Sequence, residues 1–186
     1  MYGTIIIGLW LAFIASWIAA SFWATRPEKN ASRQQEAAYR ITLVAGVLIF
    51  AIPARRIHGA LHLWYLPISG LWACIALIAA GFAFCWWARI HLGQLWSSTV
   101  TKKQDHHIVE TGPYGLVRHP IYTGLILAVL ATALAKGTLP GLAGAAVIIF
   151  SFWLKARLEE RFLRAELGAA GYDDYRRRVP MLVPFI

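Results

Sequence analysis

Two pairs of residues stand out as able to hold a small polar ligand, Arg118-His119 and Glu159-Glu160. The first pair lies inside GPYGLVRHPIYTG, Gly112 to Gly124, directly ahead of a long apolar run. Pro120 suits the first turn of a helix, where its missing N–H costs nothing. The free backbone N–H groups of such a start, together with Arg118, make a receptor for a carboxylate or phosphate. A plainer reading is that Arg118 and His119 snorkel and only mark a membrane interface. The glutamates also have two readings. Lys155–Glu159 and Glu160–Arg164 are i,i+4 pairs of the kind that decorate a solvated face. However, Leu158, Phe162 and Ala165 form an apolar stripe, so one of the two adjacent glutamates faces the packed side.

Other polar residues are weaker candidates. The connection 89–120 is too polar and Gly-punctuated to be one helix, and His91, Gly93, Ser97 and Ser98 could line a pocket wall. His106-His107 lack a third ligand at a usual zinc spacing, so no metal is expected. His58 and His62, four apart, read as interfacial. Tyr172 and Tyr175 with Arg176-Arg177-Arg178 read as a lid or a headgroup-contacting surface. No Gly-x-Gly-x-x-Gly follows a strand and there is no P-loop, so a nucleotide-like cofactor would need a non-Rossmann site.

The elements that must position these residues are apolar helices. Of 186 residues, 59% are hydrophobic, and the mean hydropathy is +0.55. The excess is gathered in blocks, which indicates an all-α integral membrane protein in contact with the bilayer. Five segments stand out: Thr4–Thr25, Ile41–Ala54, Leu66–Ala88, Ile121–Ala135 and Leu139–Leu154. The last two flank Lys136-Gly137-Thr138 and cover only about 22–24 Å each, against a hydrocarbon core of about 30 Å. They are expected to form a short helical hairpin over 121–154. The first segment has no positive side chain before it and is longer than a signal h-region, so it reads as a permanent anchor. Cys74 and Cys85 are about three turns apart and cannot pair; both read as buried small hydrophobes.

The net charge of +9 follows topology rather than nucleic acid, for which no recognisable module is present. If all five segments cross, connections 26–40, 89–120 and the tail from 155 share a side and carry fifteen Lys and Arg. The opposite side carries three. That bias predicts an outside amino terminus and a cytoplasmic carboxyl terminus; the membrane is expected to be a prokaryotic cytoplasmic one. The hairpin also sets a register. His119 lies 18 residues before Gly137 and Glu159 lies 22 after it, a mismatch of about one turn, or roughly 6 Å. Arg118, His119, Glu159 and Glu160 should therefore meet in one cluster on the cytoplasmic side.

With these residues in place, the chain resembles the isoprenylcysteine carboxyl methyltransferases and the phospholipid N-methyltransferases. HHIVETGPYGLVRHPIYTG (His106 to Gly124), EERFLRAELG (Glu159 to Gly168) and YDDYRRRVPMLVPFI (Tyr172 to Ile186) carry the match. The spacing Gly168-Ala169-Ala170-Gly171-Tyr172 is one residue longer than the family's usual pattern. The resemblance implies three N-terminal membrane helices in 1–88 and a catalytic region in 89–186, ending in a cytoplasmic amphipathic helix. It implies S-adenosylmethionine (SAM) as methyl donor, S-adenosylhomocysteine as product, and a lipophilic acceptor bearing a carboxylate, amine or thiol. His106, Val109, Gly112, Tyr114, Arg118, His119, Pro120, Tyr122, Glu159 and Glu160 are the implied cofactor-binding residues. Arg118, His119 and Glu160 are the implied catalytic ones. Arg118 and the helix start would take the donor's carboxylate, and a glutamate its ammonium or hydroxyls. Tyr114 or Tyr122 would offer an aromatic face to the sulfonium. Two rival readings stand beside this one. One is a sterol-reductase-like enzyme using NADPH, with Arg176–Arg178 on the 2′-phosphate. The other is a non-catalytic membrane protein.

Overall fold

The computed structural model describes residues 1–22, 29–30, 32–93, 96, 101–102 and 108–184. Among the described residues six α-helices make up the body: α1 Tyr2–Ser21, α2 Arg33–Phe50, α3 Ile68–Leu92, α4 Pro120–Lys136, α5 Leu139–Leu167 and α6 Ala169–Arg178. Three of them, α1, α3 and Leu139–Glu166 within α5, are long and apolar enough to cross a membrane, and Pro120–Lys136 is a shorter apolar helix.

Local chemistry sets the boundaries. α2 begins eight residues before the apolar segment read from the sequence, because Ser32 and Gln35 close a capping box around its first turn. α4 begins at Pro120 and ends at Gly137, whose left-handed φ of 60° stops the helix. A side chain at Gly137 would also strike the Trp64 carbonyl. Thr138 then caps α5, its hydroxyl accepting from the Gly141 N–H at 3.2 Å.

The connections gather at two ends. At one end, Lys29–Asn30 pairs antiparallel with Thr101–Lys102, tying the α1–α2 link to the α3–α4 link. At the other end, residues 51–67 meet the α4–α5 turn. Leu63 donates its N–H to the Gly137 carbonyl at 2.7 Å, and the Trp64 indole donates to the Leu134 carbonyl at 3.0 Å. Alternate links thus share an end, as the charge pattern requires. His58 and His62 lie here at the two ends of the 3-10 turn Gly59–Leu61, not on one helix.

Two helix pairs form the core. α3 lies along α4, burying Ile78, Phe82, Cys85, Ala128 and Ala131, with Phe13 of α1 stacked on Phe82 at 4.2 Å. α2 lies along α5, and Val129, Ala133, Ala145 and Ile148 join the pairs. Among helices that all prefer lipid, close approach of small residues supplies the attraction. At the α3–α4 crossing the backbones meet at Gly81 and Gly124. A Cβ on Gly124 would fall 2.5 Å from the Gly81 carbonyl oxygen and 2.6 Å from Cys85 Sγ. Gly124→Ala is therefore expected to destabilise the protein by about 1–3 kcal/mol through overpacking. The thermal midpoint in detergent checks this, and a variant as stable as the parent would refute so tight a crossing.

Candidate functional site

The Gly137 turn makes α4 and α5 antiparallel, so the residues ahead of α4 lie beside the distal turns of α5. Arg118 Nε donates to Glu160 Oε1 at 2.7 Å. His119 sits between both carboxylates, with Nδ1 3.5 Å from Glu159 Oε2 and Nε2 3.3 Å from Glu160 Oε1. Tyr122, one turn into α4, donates its hydroxyl to Glu159 Oε1 at 2.6 Å. Its ring stacks between His119 and Phe152, at 5.4 Å from each. The side chains of Arg118, His119 and Glu160 are each less than 10% exposed, and Glu159 is 19% exposed. The glutamates therefore line a packed interior, and the decorated-face reading fails for both.

Two further cations complete the cluster. Lys155 Nζ lies 3.9 Å from Glu159 Oε1 and faces the rings of Tyr39 and Tyr122 at 5.5 Å each. Arg176 Nε lies 3.4 Å from Glu160 Oε2. The i,i+4 spacing of Lys155 pointed to its pairing with Glu159 but not to its burial. No spacing rule pointed to Arg176.

The C-terminal tail is the part that sequence reasoning missed. Residues 179–182 lie alongside the start of α4. The backbone N–H groups of Arg118 and His119 donate to the carbonyls of Pro180 and Met181 at 2.9 and 3.1 Å, and the Thr123 hydroxyl donates to Leu182 at 2.6 Å. Arg118 Nη1 donates to the carbonyls of Arg176, at 3.1 Å, and Val179. Much of the donor capacity expected to face a ligand carboxylate is thus met by the chain's own backbone. The Val-Pro…Pro ending in the sequence was the available signal, since such a segment leaves its carbonyls free for other partners.

The remaining sequence candidates fall around this cluster. Gly112 opens a 3-10 turn with φ 58°, and its Cα side is covered by the His91 ring. His91 Nε2 lies 2.8 Å from Thr111 Oγ1. Tyr114 is buried, and its carbonyl accepts from the Tyr175 hydroxyl at 2.7 Å. Burial and then the charge of Glu159 push the Tyr114 hydroxyl above its ordinary pKa, so this ring is within electrostatic reach of the cluster. Val109 lies in the half-buried stretch 108–110 that leads into the turn. His106, with His107, Ser97 and Ser98, lies outside the described residues. Tyr172 and Tyr175 do not form a headgroup surface. They are 3% and 4% exposed and form the inner face of α6, packed with Val179, Ile108 and Leu163. The three arginines that a 2′-phosphate would need are already paired: Arg176 with Glu160 and Asp173, Arg177 with Asp174, and Arg178 with Asp174 and Glu110.

Burial alone would lower the pKa of His119. The hydrogen bonds and charges of Glu159 and Glu160 outweigh it, and the net shift is upward. The folded state therefore favours the imidazolium. Its contribution to stability is complete below the unfolded value of about 6.5 and is lost as pH rises through the elevated folded value. The thermal midpoint should accordingly fall on raising pH from about 6 through that window. His119→Gln should flatten the slope, and a slope unchanged in the variant would assign the titration to another group.

Residues 69–170 match the family described as phospholipid methyltransferase. A methanethiol S-methyltransferase 2 of Bradyrhizobium diazoefficiens is 51% identical over 73 residues, 38% of this chain and 26% of that protein. A protein-S-isoprenylcysteine O-methyltransferase of Schizosaccharomyces pombe is 31% identical over 102 residues, 53% of this chain and 43% of that protein. Protein-S-isoprenylcysteine O-methyltransferase B of Arabidopsis thaliana is 28% identical over 158 residues, 80% of this chain and 74% of that protein. The chain thus spans less than half the length of the first two. The family match covers more than half of the chain, α3 to the start of α6, and includes every member of the cluster except Arg176. With its three long apolar helices, the protein is an integral membrane protein and belongs to the phospholipid methyltransferase family.

Proposed function

We propose that the protein is a SAM-dependent methyltransferase acting on a lipophilic acceptor, with the donor held at the Arg118–His119–Glu159–Glu160 cluster. The observation that carries this reading is the burial of two carboxylates between an imidazole and three cations, where two antiparallel apolar helices meet. The donor set suits SAM on chemical grounds. Carboxylates accept from an ammonium and from hydroxyls, and the cations outnumber the carboxylates, which complements a ligand carboxylate. When bound, SAM supplies a methyl group on an electrophilic sulfonium.

In this reading Glu159 and Glu160 take the ammonium and the ribose hydroxyls. Arg118 and Lys155 set the positive side for the carboxylate, and Arg176 holds Glu160 in place. Tyr122 and Tyr114 offer aromatic faces near the sulfonium. Val109, Gly112 and Pro120 shape the wall, and His106 belongs to it by family pattern. His119 donates from both ring nitrogens and fixes the two carboxylates. As an imidazolium it is a poor proton acceptor, so the arrangement favours an acceptor needing no base at this position, a carboxylate or a thiolate. An amine would draw on Glu160 instead.

We place five crossings in the bilayer, counting α2 and α4 with the three long helices, and α4–α5 as a helical hairpin. The amino terminus lies outside, the carboxyl terminus and α6 lie in the cytoplasm, and 89–186 is the catalytic region. The charge bias and the shared ends of alternate links support this.

Calorimetry with S-adenosylhomocysteine in lipid tests the site. Glu160→Gln removes one charge-assisted bond, worth about 1.5–3 kcal/mol, and should weaken binding roughly 10- to 100-fold. Unchanged affinity would remove Glu160 from the site. Mass spectrometry after incubation with methyl-labelled SAM and host lipid extract should show label in a lipid fraction, and label confined to water-soluble products would overturn the lipophilic acceptor.

A further inference from the structure

At the end of the molecule away from the glutamates, a groove of about 280 Å³ is lined by Ala54, Arg55, Ile57, His58, His62, Tyr65, Ala135 and Lys136. Lys136 and Pro120 are the two ends of α4, which separates this groove from the Arg118 cluster by about 24 Å. The charge here is one-sided. The chain has no Asp or Glu between Glu36 and Asp105, and none between Glu110 and Glu159. The links forming this end, 51–67 and 137–138, therefore contain no carboxylate at all. Arg55, Arg56 and His58 are exposed, and no ion pair involves them among the described residues. Lys136 Nζ donates to the carbonyls of Phe50 and Ile52, which fixes its ammonium at the groove's edge. His62 stacks on Tyr65 at 3.9 Å, and its Nδ1 is buried without a hydrogen-bond partner among the described residues.

We propose that this groove binds the phosphate of an anionic phospholipid in the leaflet it faces. Arg55, the tethered Lys136 and two imidazoles line one concavity with no carboxylate among the described residues to neutralise them, which is the chemistry of a phosphate receptor. The surroundings select a lipid over a free anion. Tyr65 is 84% exposed, and Leu61, Leu63 and Ile68 are exposed beside it. An amphipathic ring next to bare aliphatic side chains marks the headgroup level of a bilayer, so a lipid seated here keeps its acyl chains against apolar surface. The site is separate from the proposed donor site, and its test does not depend on methyl transfer.

Native mass spectrometry of the full chain in detergent, titrated with dioleoylphosphatidylglycerol, dioleoylphosphatidylcholine or sodium phosphate, reads the site directly. Phosphatidylglycerol should bind more tightly than phosphatidylcholine. Arg55→Gln should weaken the first phosphatidylglycerol about five-fold, the effect of one cation near an anionic headgroup, and Arg55→Gln/His58→Gln should weaken it further. Arg56→Gln removes the same charge from a neighbour that does not line the groove and should leave binding unchanged. Equal weakening by Arg56→Gln would replace the site with a diffuse field. Parental binding in the double variant, or equal affinity for phosphatidylcholine, would overturn the proposal. Displacement of phosphatidylglycerol by millimolar inorganic phosphate would make free phosphate the ligand and equally overturn the lipid assignment. Both substituted residues are exposed, so melting points without lipid should match the parent, and Arg55→Gln alone decides if the double variant melts lower.

Discussion

The arrangement at the start of α4 depends on one constraint: Glu159 and Glu160 are charged groups taken out of water. A buried carboxylate costs several kcal/mol unless it is paired and hydrogen-bonded, and an ion pair that loses one partner is strongly destabilised. Here the partners come from three separate stretches: Arg118, His119 and Tyr122 before and within α4, Lys155 one turn earlier on α5, and Arg176 on α6. Satisfying the two glutamates therefore fixes the register of α4 against α5 and draws α6 back across the end of the bundle. Arg118 extends the arrangement by one step. Its guanidinium also donates to carbonyls of α6 and of the tail, and so ties Glu160 to the tail.

Much of this could be read from the residues. The turn at Lys136-Gly137-Thr138 and the distances from it to His119 and Glu159 are local quantities, and counting along two helices converts them into a meeting point. The clustering followed from that count alone. The burial of both glutamates did not. The i,i+4 spacing of Lys155 and Glu159 describes a solvated and a packed pair equally well, and only the presence of α2 and Tyr39 against α5 decides between them. The tail escaped for a different reason. Its contacts with Arg118, His119 and Thr123 are made through backbone carbonyls, and a carbonyl leaves no mark in side-chain chemistry. Tyr172 and Tyr175 were misread for a related cause. Beside three arginines they look amphipathic and interfacial, whereas α6 turns them inward onto Val179 and sends the arginines to Asp173, Asp174 and Glu110.

The two ends of the bundle differ in a way that bears on function. One end combines carboxylates with cations, which is the condition for holding a ligand that carries both signs. The other end has cations and imidazoles only, which suits an anion. Glycine contacts hold the helices between them at close range, Gly81 on Gly124 and Gly144 against Phe50. They join polar contacts between the helices, such as the Trp10 indole donating to the Thr132 hydroxyl at 3.1 Å, in holding the two ends in position.

A division of the chain into an N-terminal anchor and a C-terminal catalytic region describes where the sequence motifs lie, but the site draws on both. The Tyr39 carbonyl of α2 accepts from Ser151 of α5 at 2.7 Å, and its ring faces the Lys155 ammonium. His91, at the end of α3, covers Gly112. Residues before the motif stretch thus form part of the wall around the cluster. Lys155 is held between a ring from α2 and a ring from α4, so the position of its charge beside Glu159 depends on how the two helix pairs meet.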